Sequence, residues 1–284
     1  MHKKLLKIVF FFLLLSMILL FIYYRESQPH DLEIYFLNVG QGNSVLIRTP
    51  NNNDILIDGG PDKSVLNELG KILPFYDRDI ELMILTHPHD DHDTGLISVI
   101  DKYHVNKVLF NDFAATDSMF LEFKKIIQEK NIPVSSFYQN DQITLDYNIF
   151  LKSLYPVKNL SIDLKKNANN TSMIAQLIYN NNKIIFTGDA EQDEEKKILD
   201  RDLKSDILQV GHHGSKTATS QDFLNRVNPQ KAIISCGQDN KFKHPHFITV
   251  YKLQQKNIDI LRTDQDGTIK CDSNGIKINC QKLE

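Results

Sequence analysis

Basic charge is not in excess in this chain, cysteine is nearly missing and histidine is scarce. The 284 residues include 33 Lys and Arg against 36 Asp and Glu, a formal net charge of −3. That balance excludes general polyanion binding over the whole surface, although a local basic patch remains open. No repeat of about 20 to 50 residues is visible, which argues against a solenoid or propeller. The three cysteines, Cys236, Cys271 and Cys280, are an odd number. Cys236 sits in the apolar run AIISCG and reads as a buried thiol. Cys271 and Cys280 flank a Ser273-Asn274-Gly275 turn, where a bridge in an oxidising exterior and two free thiols are equally compatible with the sequence. With 41% hydrophobic residues the chain can build one ordinary domain, or at most two small ones.

Residues 5–24 (LLKIVFFFLLLSMILLFIYY) form the one long apolar run, sufficient to cross a hydrocarbon core as a helix. Lys3, Lys4 and Lys7 precede or enter it, whereas Arg25 beyond it is followed by Glu26, so the basic end is expected in the cytoplasm and the remainder outside. Small residues of the kind a signal peptidase needs are absent from Phe21-Ile22-Tyr23-Tyr24, and no cysteine lies nearby for lipid attachment. Residues 1–26 therefore read as an uncleaved single-pass anchor in the cell membrane. A cleaved signal sequence, leaving a secreted protein, is the alternative. Without Lys3, Lys4 and Lys7, 30 basic residues face 36 acidic ones, a net of −6.

From residue 32 to 284 the pattern alternates. Strands are expected at 32–39, 44–49 and 54–58, a helix at 62–73, a strand at 82–85, a helix at 95–103, a strand at 107–110, a helix at 117–130 and a strand at 134–138. Strand-type segments fill 141–155, and the polar stretch 156–169 reads as a surface loop. A second half follows, with strands at 172–179, 183–187, 207–210 and 232–235, helices at 191–199, 220–227 and 249–256, and a closing hairpin. Each half has a strand pair joined by an Asn triplet (Asn51 to Asn53, Asn180 to Asn182) and ending in Asp58-Gly59-Gly60 or Thr187-Gly188-Asp189. The expected architecture is α/β with four layers, αββα.

Of ten histidines, three fall within six residues in Thr86-His87-Pro88-His89-Asp90-Asp91-His92. His-x-His-x-Asp-His does not suit one face of a regular element, because alternate residues share a face in a strand while Asp91 and His92 diverge. It suits a loop that directs His87 and His89 one way and Asp91 and His92 another, around two adjacent cations for which imidazole and carboxylate are suitable ligands. Asp189 by itself reads as a helix cap. Opposite the histidine loop, it is the single carboxylate needed to bridge two cations. In Gly211-His212-His213-Gly214-Ser215 the two histidines point apart; His213 is taken as the ligand and His212 as the substrate contact, with the reverse assignment open. Pro245 keeps His244 out of a helix, and His244 is a candidate acid for a leaving group or a transition-state contact.

These residues, with NVGQGNSVLIRTP, ILIDGG, LTHPHDDH, NNTSMIAQL, IIFTGDAE, ILQVGHHGSKTATS, KHPH and RTDQDG in order over about residues 32–270, resemble the metallo-β-lactamase-fold domain of the ComEC-type competence proteins. The resemblance implies a metallo-β-lactamase sandwich in which His87, His89, Asp91, His92, Asp189 and one of His212 and His213 hold metal, with Asp58 orienting a ligating imidazole. Asn170 and Ser172 are expected beside the ligands. Two departures stand out: Asn169-Asn170-Thr171-Ser172 occupies the region where many superfamily hydrolases carry a further histidine, and Asn43 stands where the family motif usually continues with Asp. The competence proteins also carry a large channel domain, for which one anchor leaves no room here.

The implied activity is that of a metal-dependent hydrolase, foremost a phosphodiesterase or nuclease acting on DNA. Its cofactors would be two divalent ions, zinc first and manganese second, with Asp91, Asp189, His212 and His244 as catalytic candidates. Lys216, Lys241 and Lys243, and Lys165 and Lys166 in the polar loop, are candidates for a local nucleic-acid track. The rival readings are a cell-wall or small-molecule phosphoesterase like phosphorylcholine esterase and a non-catalytic surface module for DNA uptake, with cell-envelope partners. Metal content and turnover separate them.

Overall fold

The alternation of β-branched runs with amphipathic segments is realised as two packed sheets flanked by helices. The computed structural model describes residues 2–26, 30–113, 117–158, 160 and 168–283. Helix α1 (His2–Glu26) precedes strands β1 (Leu32–Phe36), β2 (Val45–Arg48) and β3 (Asp54–Ile57), helix α2 (Ser64–Ile72), and strands β4 (Asp79–Ile80) and β5 (Leu82–Ile84). Helix α3 (Asp90–Lys102), β6 (His104–Val105), β7 (Val108–Leu109), α4 (Ser118–Glu129) and β8 (Val134–Ser135) complete the first half. The second comprises β9 (Gln142–Asp146), β10 (Ile149–Tyr155), β11 (Ile174–Tyr179), β12 (Asn182–Phe186), α5 (Gln192–Lys196), β13 (Ile207–Gln209), α6 (Gln221–Val227), β14 (Lys231–Ile234), α7 (Phe247–Gln255), β15 (Asp259–Arg262) and α8 (Thr263–Asp266). A hairpin of β16 (Ile269–Ser273) and β17 (Ile278–Lys282) closes the chain.

One sheet runs β17-β16-β1-β2-β3-β5-β7-β8 and the other β15-β14-β13-β12-β11-β10-β9, while β4 and β6 pair apart. Alternate residues of facing strands fill the space between the sheets: Ile34, Phe36, Ile47 and Ile57 from one, Leu151, Leu177, Ile184 and Phe186 from the other. The opposite faces are covered by α2, α3 and α4 over the first sheet, through Leu69, Leu96 and Phe123, and by α6 and α7 over the second, through Phe223, Leu224 and Leu253. This is the expected αββα sandwich. Central strands such as β3 are buried on both faces, which is why they read as continuous apolar runs.

Helix α3 begins at Asp90, five residues before the position expected from sequence, so Asp91 and His92 lie in a helical first turn and not in a loop. Asp90, Asp91 and Asp93 fall in its first turn, where acidic residues are a common mark of a helix start. The closing hairpin joins the first sheet, with Leu32 opposite Ser273 and Phe36 opposite Ile269, so the C-terminus completes the half that the N-terminus began. It also places Cys271 directly opposite Cys280, and the two form a disulfide with a sequence separation of 9. Cys236 is a buried free thiol. Replacing Cys271 and Cys280 together by serine is expected to lower the unfolding free energy by about 2–3 kcal/mol, the chain-entropy effect of so short a loop. Denaturant titration of the two proteins measures it.

Helix α1 contains one segment, Lys3–Phe21, long and apolar enough to cross a membrane, with a mean hydropathy of 2.5 and none of it buried within the protein. It is a candidate membrane anchor. Of the polar loop at 156–169, Lys165 and Lys166 lie outside the described residues.

Candidate metal centre

The centre forms where strand ends from the two sheets meet. β5 delivers Thr86 to His89, β3 delivers Asp58, β12 delivers Asp189, and β13 delivers His212 and His213. Helix α3 is held against the turn after β3 by backbone contact: Gly59 N donates to His92 O at 2.7 Å and Gly95 N to Gly60 O at 3.0 Å. A Cβ on Gly95 would lie 1.8 Å from Gly59 O, so glycine is required for the helix to approach this closely.

Two groups of side chains can each hold a cation, and Asp189 belongs to both. Asp91, His92, Asp189 and His213 offer donor atoms within 4.8 Å of one another, as do His87, His89 and Asp189. In the first group His92 Nε2 is 3.3 Å from Asp189 Oδ1, and His213 Nε2 is 3.2 Å from Asp91 Oδ2 and 3.4 Å from Asp189 Oδ2. In the second, His87 Nε2 lies 3.0 Å from His89 Nδ1, two ring nitrogens converging on one point. His92 Nδ1 is 2.7 Å from Asp58 Oδ2, and Asp58 is itself fixed by the Thr86 backbone N–H and hydroxyl, each at 2.8 Å. With its proton on Nδ1, His92 turns the lone pair of Nε2 into the cluster, and that buried nitrogen has no hydrogen-bond partner. Likewise His213 Nδ1 is 2.9 Å from the Ser235 carbonyl, leaving Nε2 for the centre. An orphaned buried donor facing two carboxylates fits a cation.

The electrostatics point the same way. Burial would raise Asp189 and Asp91, but His213 and His92 hold Asp189 well below the ordinary carboxylate value, and His92 and His213 do the same for Asp91. Burial would lower His92 and His213; instead Asp189, Asp58 and Asp91 push His92 well up, and Asp189 and Asp91 raise His213 to about 10. Burial and the neighbouring His92 push His87 and His89 below their usual value, so their rings are neutral donors. The carboxylates thus demand positive charge, which a divalent ion can supply while displacing protons from its imidazole ligands.

His212 and His213 both adopt left-handed backbone, with φ of 50° and 53°. Such conformations cost roughly 1 kcal/mol or more for non-glycine residues and concentrate at functional sites. They turn successive rings apart: His213 is buried in the cluster, while His212 lies at its rim, with Nδ1 3.1 Å from Glu191 Oε1 and Nε2 3.8 Å from Asp189 Oδ2. His244 stands beside them, its ring centroid 5.6 Å from that of His212 and 6.1 Å from that of His213. Burial first, then the three neighbouring histidines, lower His244 to about 4. The lowering favours its uncharged form, which suits the transition-state contact expected from sequence better than the acid.

Ser172 Oγ accepts from the Asp189 backbone N–H at 3.2 Å. Asn170 is placed differently from expectation: its carbonyl accepts from Tyr155 Oη at 2.8 Å, and it is Asn169 whose side-chain amide reaches the His212 ring, at 3.4 Å. Three further neighbours of the cluster were not among the predicted site residues, although Asn43 and Asn169 stand at the two departures noted from the family pattern. Asn43 donates from Nδ2 to Asp189 Oδ1 at 3.4 Å, Glu191 partners His212, and Asn169 joins them. For Glu191 a signal existed, a second carboxylate two residues after Asp189, but the segment read as a helix start.

A fold of two helix-flanked sheets with this His/Asp cluster at their strand ends defines the class. The chain belongs to the metallo-beta-lactamase superfamily, which it matches over residues 37–238. Within that class it is similar to ComE operon protein 3 of Bacillus subtilis, 29% identical over 275 residues that make up 89% of this chain and 34% of that protein. It is also similar to competence protein ComA of Neisseria gonorrhoeae, 28% identical over 259 residues, 88% of this chain and 34% of that one. The chain spans about a third of the length of these competence proteins. Among solved structures, the Zn²⁺-bound PqqB of Methylobacterium extorquens shares the fold with a TM-score of 0.55 at 9% identity, covering 83% of this chain and 99% of PqqB. The diiron β-hydroxylase CmlA of Streptomyces venezuelae shares it with a TM-score of 0.57 at 13% identity, covering 90% and 55%.

Proposed function

We propose that this chain is a membrane-anchored phosphodiesterase whose catalytic domain, residues 32–284, works outside the cell on DNA. The observation that carries this reading is the sharing of Asp189 by two donor groups, an arrangement suited to two divalent ions held side by side. His87, His89 and Asp189 would hold one, and Asp91, His92, Asp189 and His213 the other, with zinc favoured by the imidazole and carboxylate donors and manganese as the alternative. Bound ions supply Lewis acidity, lowering the pKa of water from about 15.7 toward neutrality and neutralising a phosphodiester's non-bridging oxygens.

The chain's own residues perform the remaining work. Asp91 and Asp189, held as carboxylates, accept a hydrogen bond from the attacking water and orient it. Asp58 fixes the His92 ring through its 2.7 Å bond. His212, whose Nδ1 is anchored by Glu191, presents Nε2 at the rim and is assigned the proton for the leaving oxygen. His244, neutral, donates a hydrogen bond to developing charge. Similarity to competence proteins supports DNA as substrate, and the lysine-rich start of α1 supports an outside location.

The test uses the full chain in detergent micelles with Zn²⁺ or Mn²⁺, against bis-p-nitrophenyl phosphate and single-stranded DNA. Both are expected to be cleaved, with chelator abolishing turnover and His89→Ala lowering it by on the order of a hundredfold, the scale of losing one electrostatic contact in a site. Cleavage of the small diester alone would shift the reading to a small-molecule phosphoesterase. Fewer than one bound ion per chain and no turnover would leave a non-catalytic binding module.

A further inference from the structure

Beside the cluster, a set of exposed aromatic rings is interleaved with lysines, although folding normally buries such rings. Phe247 is 78% exposed, Phe242 50% and Tyr251 44%. Phe242 and Phe247 bracket His244 and His246, and the rings form a series leading inward. Phe242 stacks on His244 at 5.7 Å and 21°, and His244 stacks on buried His213 at 6.1 Å and 29°. Phe247 and Tyr251, one helical turn apart on α7, stack at 5.8 Å and 27°. Lys241 Nζ lies 5.0 Å from the Phe242 centroid. The Lys216 backbone N–H donates to His246 Nδ1 at 3.0 Å, which places a third lysine beside Lys241 and Lys243. All three lysines are exposed. Phe75 and Tyr76, also exposed and paired, are followed by Asp77-Arg78-Asp79, a setting of mixed charge.

We propose that Phe242, Phe247 and Tyr251, with Lys216, Lys241 and Lys243, form a platform that stacks unpaired nucleobases and leads a single-stranded nucleic acid into the His/Asp cluster. This rests on the phosphodiesterase reading and deepens it by naming single strands as the substrate class. Base planes in a duplex are already stacked and paired, so exposed rings find partners only on a single strand. With 30 basic against 36 acidic residues once Lys3, Lys4 and Lys7 are left out, phosphate contacts alone provide little affinity, so ring stacking has to supply the rest. A lipid surface is the competing occupant, but the ring series continues inward to buried His213, where lipid has no role.

Affinity, independent of turnover, is the appropriate readout. The full chain in micelles with Zn²⁺ would be titrated against a fluorescent, cleavage-resistant phosphorothioate oligo-dT of about 15 nucleotides and against an abasic oligomer of equal length. The oligo-dT is expected to bind at least about tenfold more tightly. Phe242→Ala and Phe247→Ala should each remove about tenfold, and Phe247→Tyr should retain the affinity. The salt slope is expected near about −2, as for three phosphate contacts on a single strand. Equal affinity for both oligomers, or an affinity unchanged in correctly folded Phe242→Ala/Phe247→Ala, overturns the platform. So does deuterium-exchange protection of residues 242–251 by phosphatidylglycerol nanodiscs with none by the oligonucleotide. Hydrolysis of bis-p-nitrophenyl phosphate by the unsubstituted chain separates the two ideas. Base-dependent binding without hydrolysis removes the enzyme and keeps the platform, whereas hydrolysis without base-dependent binding does the reverse.

Discussion

Asp189→Ala is expected to reduce bound metal from two ions to at most one per chain and to lower kcat/KM for bis-p-nitrophenyl phosphate by on the order of 10³, about 4 kcal/mol of transition-state stabilisation. The reason is positional. Oδ1 of Asp189 faces His92 at 3.3 Å, and Oδ2 faces His213 at 3.4 Å, while the same carboxylate groups with His87 and His89. No other side chain belongs to both groups. Removing it also leaves His92 and His213 without the largest charge that opposes their burial, so neither ring is held in place as before. Elemental analysis of the purified variant, with His212→Ala as comparison, decides the matter. His212 lies at the rim, and its loss should slow turnover while metal content stays at two. Retention of two tightly held ions by Asp189→Ala would end the binuclear assignment.

The parts of this centre that were readable from sequence are those carried by local signals. Three histidines and two aspartates in six residues, Asp189 at the end of an apolar strand, and a His-His pair after another such strand all announce themselves within short windows. The fold was legible for a related reason: doubly buried strands and amphipathic helices leave different periodicities. What was hidden depends on long-range approach. Asn43 meets Asp189 across a separation of 146 residues, and Asn169 meets His212 across 43, distances over which no spacing rule operates. The choice between Asn169 and Asn170 turns on a short 3₁₀ turn at Ala168–Thr171 that polarity alone does not reveal. The early start of α3 was missed because a cluster of aspartates and histidines was read for its ligands and not for its helix-capping charge. The Cys271–Cys280 bridge follows from the β16–β17 register, which a turn sequence leaves undetermined.

At Gly95 the fold and the centre depend on the same atom-scale clearance, and Gly95→Ala is expected to damage both. The added methyl group would lie 1.8 Å from Gly59 O and 2.6 Å from Gly59 C, backbone atoms that no side-chain rotation can clear. Helix α3 must then move away from the turn after β3, stretching the Gly59–His92 and Gly95–Gly60 backbone bonds, now 2.7 and 3.0 Å. Overpacking of this kind costs about 3 kcal/mol. The displacement also separates His92, on the helix, from Asp58, on the turn, across the 2.7 Å bond between them. Loss of such an orienting partner weakens metal binding by about 10- to 100-fold. Denaturant titration of the metal-stripped chain isolates the packing cost, and zinc titration with a competing chelator isolates the effect on the centre. If Gly95→Ala unfolds more easily yet binds zinc as tightly as the parent, the helix is not what positions His92, and the link argued here between backbone packing and metal affinity fails.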